Sequence, residues 1–273
     1  MKFLIQTIGS EITLDFCFEL LRSFEFCKWR GETVEYKKIE LEDLTPDYDG
    51  WIPVGTIEII ERYLEVQYHC TTPEKILTPI NVPREFIGKE SSGFVFEGRP
   101  EEVYEYLQSR DLDTVPVYLK TMTSLKDHRN GHLGNALPIL DLPEDLVIQV
   151  RPEMNILSEW RCFVMDNELV GCQWYSGDFL EFPGRTRIRE LVDQWVGPRS
   201  LGGYGKTGTL DLAVTLDFGR PGGARSVQTV VMEAHDFYSC GLYGFSDYQK
   251  LPGMFSRGWR EITSRVRSAL LVV

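Results

Sequence analysis

The pattern of helices and strands changes along this chain. In the first seventy or so residues, apolar strands at 2–8, 32–41 and 52–54 alternate with segments of helical periodicity at 11–29 and 56–66, where Thr56 is a candidate cap. Helices placed between strands are typical of a doubly wound sheet. We therefore expect a small, incomplete doubly wound α/β unit at the start of the chain.

The later part of the chain consists mainly of strands. A segment rich in proline and glycine at 71–99, with one or two short strands, leads to a helix at 101–109. Strand-like runs follow at 115–120, 146–151, 160–164, 168–175, 209–216 and 227–233, with helices at 188–196 and 256–271. Asp166 and Asn167 lie between two alternating runs and predict a hairpin. The overall prediction is α+β, with a first domain at 1–85 and a second at 86–273.

Composition limits the function. The formal charge of −12 argues against non-specific binding of nucleic acid, because such binding requires cations that contact the phosphates. No segment is apolar for long enough to span a membrane, and the N-terminus does not fit a signal peptide, so we expect a cytoplasmic protein. The six cysteines show no CxxC pair or zinc spacing, which favours buried reduced thiols.

Two segments are candidates for phosphate binding. Lys120 ends the strand at 115–120, and a polar loop with Lys126 and Arg129 follows it. A lysine at this position can direct its ammonium group at a nucleotide phosphate, although on its own it would be a solvated strand end. The glycine-rich segment at 202–207 ends like a P-loop, but Ser200 stands where that motif requires glycine. It is interpreted as a flexible loop whose Lys206 could still face a ligand.

Charged residues inside apolar strands are the second kind of candidate. Glu159 and Arg161 share one face of their strand and form either a structural ion pair or a ligand site. Asp211 lies within an apolar strand, and Glu233, His235 and Asp236 end another. If these two strands are neighbours, Asp211 and Glu233 meet in an arrangement that suits Mg²⁺. The alternative is that one of them points to solvent from an edge strand.

The order of these motifs resembles the ATP-grasp superfamily, and in particular a small clade of bacterial and phage ATP-grasp proteins. The segment Leu157-Ser-Glu-Trp-Arg-Cys-Phe-Val164 followed by Asp166-Asn-Glu-Leu-Val-Gly171 and Tyr175 is similar to one motif of that clade. Further similar motifs are Thr209-Leu-Asp211 with Val230-Val-Met-Glu-Ala-His-Asp236, Gly241-Leu-Tyr-Gly244, Trp259, and Ile52-Pro-Val-Gly-Thr-Ile-Glu58. The resemblance extends over nearly the whole chain.

The resemblance implies a fold in which two α+β lobes enclose ATP, preceded by a small Rossmann-like unit. It implies that Lys120 contacts phosphate, that the backbone of Gln149 and Val150 contacts adenine, and that Glu159 and Arg161 face ribose or phosphates. It also implies that Asp211 and Glu233 hold Mg²⁺. The family usually has asparagine where this chain has His235, which leaves two alternatives: Asp236 becomes a metal ligand, or fewer protein ligands are used.

The activity that the resemblance implies is ATP-dependent joining of a small-molecule or peptide carboxylate to an amine through an acyl-phosphate. Arg161, Lys126, Arg129 and Arg151 are the cations expected near that intermediate. Two alternatives stay open: a kinase with the same fold, and a nucleotide-binding protein without catalysis, which the change at His235 supports. A polynucleotide ligase is disfavoured, because the chain lacks a K-x-[DN]-G motif and carries a net charge of −12.

Overall fold

The computed structural model describes residues 1–87, 95–123, 129–197, 205–217 and 226–270. In the first part, β1 (Lys2–Gln6), α1 (Asp15–Trp29), β2 (Glu35–Ile39), β3 (Ile52–Val54) and α2 (Ile57–Tyr68) follow one another. The three strands form a parallel sheet in the order β2-β1-β3. This parallel sheet with intervening helices confirms the predicted alternation of strands and helices in the first part of the chain.

The turn from β3 into α2 depends on one close contact. The backbone N–H of Thr56 donates to Gln6 Oε1 at 2.6 Å, and a Cβ atom on Gly55 would lie 2.3 Å from the same oxygen. Glycine is therefore required at position 55. Thr56 is the N-cap residue, as predicted, but its side chain makes no capping hydrogen bond.

The rest of the chain builds two antiparallel sheets. The middle sheet, in the order β4-β7-β5-β6, consists of β4 (Phe96–Gly98), β5 (Val117–Thr121), β6 (Gly131–Leu133) and β7 (Ile148–Pro152). It packs against α3 (Pro100–Gln108). The C-terminal sheet, in the order β11-β10-β8-β9, consists of β8 (Asn155–Met165), β9 (Glu168–Gly177), β10 (Gly208–Asp217) and β11 (Ser226–Asp236). β6 was not predicted.

The two faces of the C-terminal sheet have different partners. Leu210, Leu212 and Cys162 pack with Ile188, Leu191 and Trp195 of α4 (Arg185–Val196) in one apolar cluster. Asp211 and Arg161 alternate with these residues along their strands and therefore point to the opposite face. Asp166 and Asn167 form the predicted hairpin between β8 and β9, both with positive φ.

The last helix joins the core of the first unit. α5 (Leu251–Leu270) contributes Met254, Phe255, Trp259 and Ile262 to a buried cluster that also contains β1, α1 and α2. The rings of Trp259 and Tyr63 meet edge to face with centroids 5.3 Å apart. The hydrophobic core of the first unit is therefore continuous across the predicted domain boundary at residue 85.

The cysteines are reduced, and the described helices are short or polar. All six cysteines are free thiols; five of them are buried and Cys172 is half-buried. Among the described residues, no helix has the length and apolar character needed to cross a membrane.

Candidate active site

A cavity of about 720 Å³ is lined by residues of both antiparallel sheets. We call it the front cavity. Its polar walls come from β5 and β7 of the middle sheet and from β8, β10 and β11 of the C-terminal sheet. Ile57 at the start of α2 and the segment 239–243 also line it. The N-terminal unit and both sheets thus contribute to one pocket.

An ion pair across neighbouring strands forms the centre of this cavity. Asp211 of β10 lies opposite Arg161 of β8. Arg161 Nε and Nη2 donate to Asp211 Oδ1 and Oδ2 at 2.8 and 2.7 Å, and both residues are buried. Burial alone would raise the pKa of the Asp211 carboxyl, but the hydrogen bonds and charge of Arg161 outweigh it and hold that pKa below its usual value.

The other neighbour of Asp211 is Glu233 on β11. The pairing shifts by one residue between Asp211 and Leu212, which leaves Met232 without a partner on β10 and allows Met232 and Glu233 both to line the cavity. Lys120 Nζ donates to Glu233 Oε2. The predicted meeting of Asp211 and Glu233 on adjacent strands is confirmed by this register.

His235 completes a cluster of three groups able to hold a metal ion. Its Nε2 lies 2.9 Å from Glu233 Oε1 and 3.7 Å from Asp211 Oδ2. Suitable ligand atoms of Asp211, Glu233 and His235 lie within 4.8 Å of one another. Burial would raise the pKa of Glu233, yet the donor and charge of His235 and the charge of Lys120 bring it below its usual value.

A stacked pair of tyrosines lies beside the Arg161 guanidinium. The rings of Tyr175 and Tyr243 are stacked with centroids 4.8 Å apart, and the guanidinium carbon lies 5.0 Å from the Tyr243 centroid. Arg161 Nη1 also donates to the Gly241 carbonyl at 3.1 Å. Because the guanidinium has partners on several sides, Arg161 is a fixed cation.

Most of the predicted nucleotide-binding residues reach this cavity. Lys120, Arg151, Glu159 and Arg161 line it. Arg151 is buried, with its guanidinium carbon 5.3 Å from the Tyr118 ring centroid. The Tyr175 hydroxyl lies 3.4 Å from Glu159 Oε1.

Gln149 and Val150 do not present their side chains to the front cavity. The Gln149 amide bonds the backbone of Val82 twice: its Nε2 donates to the carbonyl, and its Oε1 accepts from the N–H, both at 3.0 Å. Val150 is fully buried in the core of the middle sheet. Only the backbone of these two residues could take part in the contact that the resemblance implies.

The remaining predicted residues lie elsewhere. Asp236 points to the other side of β11, since adjacent strand residues alternate between faces. There it accepts hydrogen bonds from Thr78 at 2.8 and 2.9 Å and pairs with Arg265 at 2.8 Å, so the structure does not place it with the three candidate metal ligands.

Arg129 is not among the residues lining the front cavity. Lys126 and positions 200 and 202–204 of the glycine-rich segment lie outside the described residues.

One contributor was not predicted from the sequence. The segment 78–82, predicted only as linker, runs beside β11: Ala234 N–H donates to the Asn81 carbonyl at 3.1 Å. On the other side, Lys120 Nζ donates to the Ile80 carbonyl at 3.4 Å. The only local indication was Pro79 and Pro83, which favour extended backbone around them.

Comparison with known proteins gives the family. The sequence model of the ATP-grasp domain, R2K clade family 2, matches residues 96–251, more than half of the chain. A comparison with the sequences of curated proteins finds no match.

Solved structures with a similar fold extend over nearly the whole chain. D-cycloserine synthetase DcsG has a TM-score of 0.54 at 11% identity, covering 97% of this chain and 100% of that one. D-alanine–D-alanine ligase from Bacillus anthracis has a TM-score of 0.52 at 10% identity, with 98% and 97% covered. A RimK domain ATP-grasp protein from Sphaerobacter thermophilus DSM 20745 has a TM-score of 0.50 at 15% identity, with 97% and 99% covered.

These likenesses are too distant in sequence to show more than the fold, which is the ATP-grasp fold. The front cavity lies between the two sheets of that fold, and the family match includes the strands that carry Lys120, Glu159, Arg161, Asp211 and Glu233. The chain belongs to the ATP-grasp domain family, R2K clade family 2.

Proposed function

We propose that this protein is an ATP- and Mg²⁺-dependent ligase that joins a carboxylate to an amine through an acyl-phosphate. The observation that carries the proposal is the front cavity, where Lys120, Arg151 and Arg161 converge with Asp211 and Glu233. Family membership supports ATP as the nucleotide, and the printed names of the structural neighbours include a ligase and a synthetase. The balanced reaction converts ATP, carboxylate and amine into ADP, phosphate and amide.

The donor atoms of the cluster fit Mg²⁺ through two carboxylates. Asp211 and Glu233 offer the hard oxygen ligands that this ion prefers, whereas the imidazole of His235 suits softer ions. Mg²⁺ held by Asp211 and Glu233 would neutralise charge on the phosphate oxygens. His235 then acts through Glu233, to which its Nε2 is adjacent, and Asp236 has no part in the metal site.

The cations of the middle sheet would hold the phosphates. Arg151 is buried and Lys120 is half-buried, and both face the cavity beside Glu233. Burial lowers the pKa of Lys120, and the charge of Glu233 opposes that shift. A phosphate entering the cavity would offer Lys120 a second anionic partner, which favours its charged form.

Arg161 would stabilise the negative charge that develops during acyl transfer. Its guanidinium is already oriented by Asp211, Gly241 and the two tyrosines, so little reorganisation accompanies the reaction. Glu159, whose carboxylate lies near the Tyr175 hydroxyl, is suited to accept hydrogen bonds from ribose hydroxyls. The backbone of Gln149 and Val150 is proposed to contact adenine, and Lys126 and Arg129 are proposed to bind the acyl-phosphate.

Isothermal titration calorimetry with ATP and Mg²⁺, followed by product analysis, tests this function. We expect saturable binding, then release of ADP and phosphate together with an amide once the right carboxylate and amine are supplied. A phosphorylated product without free phosphate would identify a kinase instead. Binding without turnover for any substrate pair would identify a nucleotide-binding protein, and the absence of binding would exclude all three functions.

A further inference from the structure

A second cavity, of about 830 Å³, lies on the other side of β11. We call it the rear cavity. Its walls come from the segment 78–85, the end of β11, Trp195 of α4, and Glu261, Ser264 and Arg265 of α5. Among the residues that line the two cavities in the described part of the chain, His235 alone is shared.

The segment 78–82 separates the two cavities. Ile80 faces the front cavity, while Pro79 and Asn81 face the rear one. The segment is held from both sides, since Ile80 N–H donates to the Thr123 carbonyl at 3.2 Å and Thr78 N–H donates to Asp236 Oδ2 at 2.8 Å. Both cavities can therefore be occupied at the same time.

The rear cavity contains buried polar atoms without a hydrogen-bond partner. They belong to three residues of the cavity wall and are two acceptors, Asn81 Oδ1 and Glu97 Oε2, and one donor, Arg265 Nε. Each atom is closed off from the cavity itself, so a ligand contacts it only when its side chain turns toward the cavity. Asn81 is only 3% exposed, so solvent does not compensate for the missing bond. A buried polar atom left unpaired is unfavourable, and a ligand with both donors and acceptors would supply the missing partners.

The charges around the rear cavity are nearly balanced. Arg84 pairs with Glu97 at 3.1 Å, Lys206 with Glu85 at 3.1 Å, and Arg265 with Asp236 at 2.8 Å, which leaves Glu261 as an additional acid. Burial and the nearby Asp236 raise the pKa of Glu261 to about 7, although it accepts a hydrogen bond from Thr207 N–H. A nucleotide or a divalent cation would upset this balance, whereas a zwitterion would preserve it.

We propose that the rear cavity is a binding site for a free α-amino acid with an apolar side chain. Once these side chains turn toward the cavity, the ammonium group would donate to Asn81 Oδ1 and Glu97 Oε2, and the carboxylate would accept from Arg265 Nε. Pro79, Val82, Met122 and Ala234 supply apolar wall for the side chain. Apart from His235, which lines both cavities, the site uses none of the residues to which the ligase reaction is assigned.

Titration calorimetry with free amino acids tests this site. L-leucine, L-methionine and L-phenylalanine are the probes, each offered to the wild type and to two α5 variants. Ser264→Phe places a large ring at the cavity wall from an exposed position, and Ser268→Phe, one turn further along α5 and also exposed, is the matched control. We expect binding to the wild type and the control, with affinity reduced about tenfold or more in Ser264→Phe.

Arg265→Met gives an independent test by removing the guanidinium while keeping most of the side-chain length. It should weaken amino-acid binding about tenfold or more, because the charge-assisted hydrogen bond to the carboxylate is lost. Absence of binding to the wild type would overturn the proposal. So would binding that persists in Ser264→Phe and Arg265→Met but disappears in Glu233→Gln, since the amino acid would then occupy the front cavity. Failure of ATP to bind would affect the proposed ligase function and leave this result unchanged.

Discussion

Each cavity contains a carboxylate that is largely shielded from solvent, but the pKa is lowered in the front cavity and raised in the rear one. In the front cavity Glu233 is bonded by Lys120 and His235, and its pKa lies below the usual value. In the rear cavity Glu261 accepts one backbone N–H bond beside the negative charge of Asp236, and its pKa rises to about 7. Burial opposes ionisation in both, so the neighbouring charges decide the protonation state. The front cavity is arranged for charged chemistry, and the rear one for a ligand of balanced charge.

The largest expected effect comes from breaking the central ion pair of the front cavity. Arg161→Met leaves Asp211 buried without its cation and should lower the free energy of unfolding by about 3–5 kcal/mol. Urea denaturation measures this. Arg187→Met, which breaks an exposed pair with Glu190, is the control and should change stability by about 1 kcal/mol or less. Equal losses in the two variants would show that the buried pair has no special role.

The next effect concerns catalysis. Glu233→Gln keeps the shape of the side chain but removes one of the two proposed carboxylate ligands of Mg²⁺. ADP formation with the active substrate pair should fall about a hundredfold or more, which corresponds to about 2.7 kcal/mol of lost transition-state stabilisation. Glu190→Gln on α4 is the control and should retain activity. Full activity of Glu233→Gln would contradict the proposed metal site.

A third effect, on the pH dependence of stability, distinguishes the rear cavity. The Glu261 carboxyl binds its proton more tightly in the folded protein, with a pKa of about 7 against a reference value of 4.5. Its contribution to stability is therefore complete below pH 4.5 and is lost as the pH rises to about 7. Over that pH range, the free energy of unfolding of the wild type should fall by about 1–2 kcal/mol relative to that of Glu261→Gln. This value allows for the partial exposure of Glu261 to solvent.

Chemical denaturation at pH 4.5, 6 and 7.5 measures this difference. Glu190→Gln, on an exposed part of α4, serves as the control and should follow the wild type. A constant difference between wild type and Glu261→Gln at all three values would show that Glu261 titrates normally.

The smallest effect tests the separation of the cavities. Ser264→Phe should change the dissociation constant for Mg²⁺-ATP by less than about twofold, which is about 0.4 kcal/mol, because the segment 78–82 lies between the substituted wall and the nucleotide. Calorimetry with the wild type and Ser268→Phe gives the comparison. A larger change would show that occupation of the rear cavity alters the front one.

Local patterns predicted much of this molecule. Apolar patterning located β9 to β11 to within a few residues and β8 with a start five residues too late. It predicted that Asp211 and Glu233 meet if their strands are neighbours, and the pairing of β10 with β11 supplies that condition. The start of α5 differs from the prediction: the helix begins at Leu251 instead of Ser256. Gly258 occurs within it because a Cβ there would lie 2.7 Å from the Phe237 carbonyl, so tertiary packing outweighs helix propensity.

The contacts that could not be predicted join residues far apart in the chain. Gln149 bonds the backbone of Val82, and Thr78 bonds Asp236. Neither pair has a local pattern, since each depends on how the segment 78–82 runs between the two antiparallel sheets. The rear cavity follows from these contacts and was therefore absent from every expectation based on sequence.

The position of α5 also has a consequence for how the chain folds during synthesis. Its apolar face fills the core of β1, α1 and α2, so that core stays open until α5 has left the ribosome. The nascent N-terminal unit must keep Tyr63 and its neighbours exposed while about two hundred further residues are made. We expect this core to close by a late, long-range step, in which α5 docks onto β1, α1 and α2.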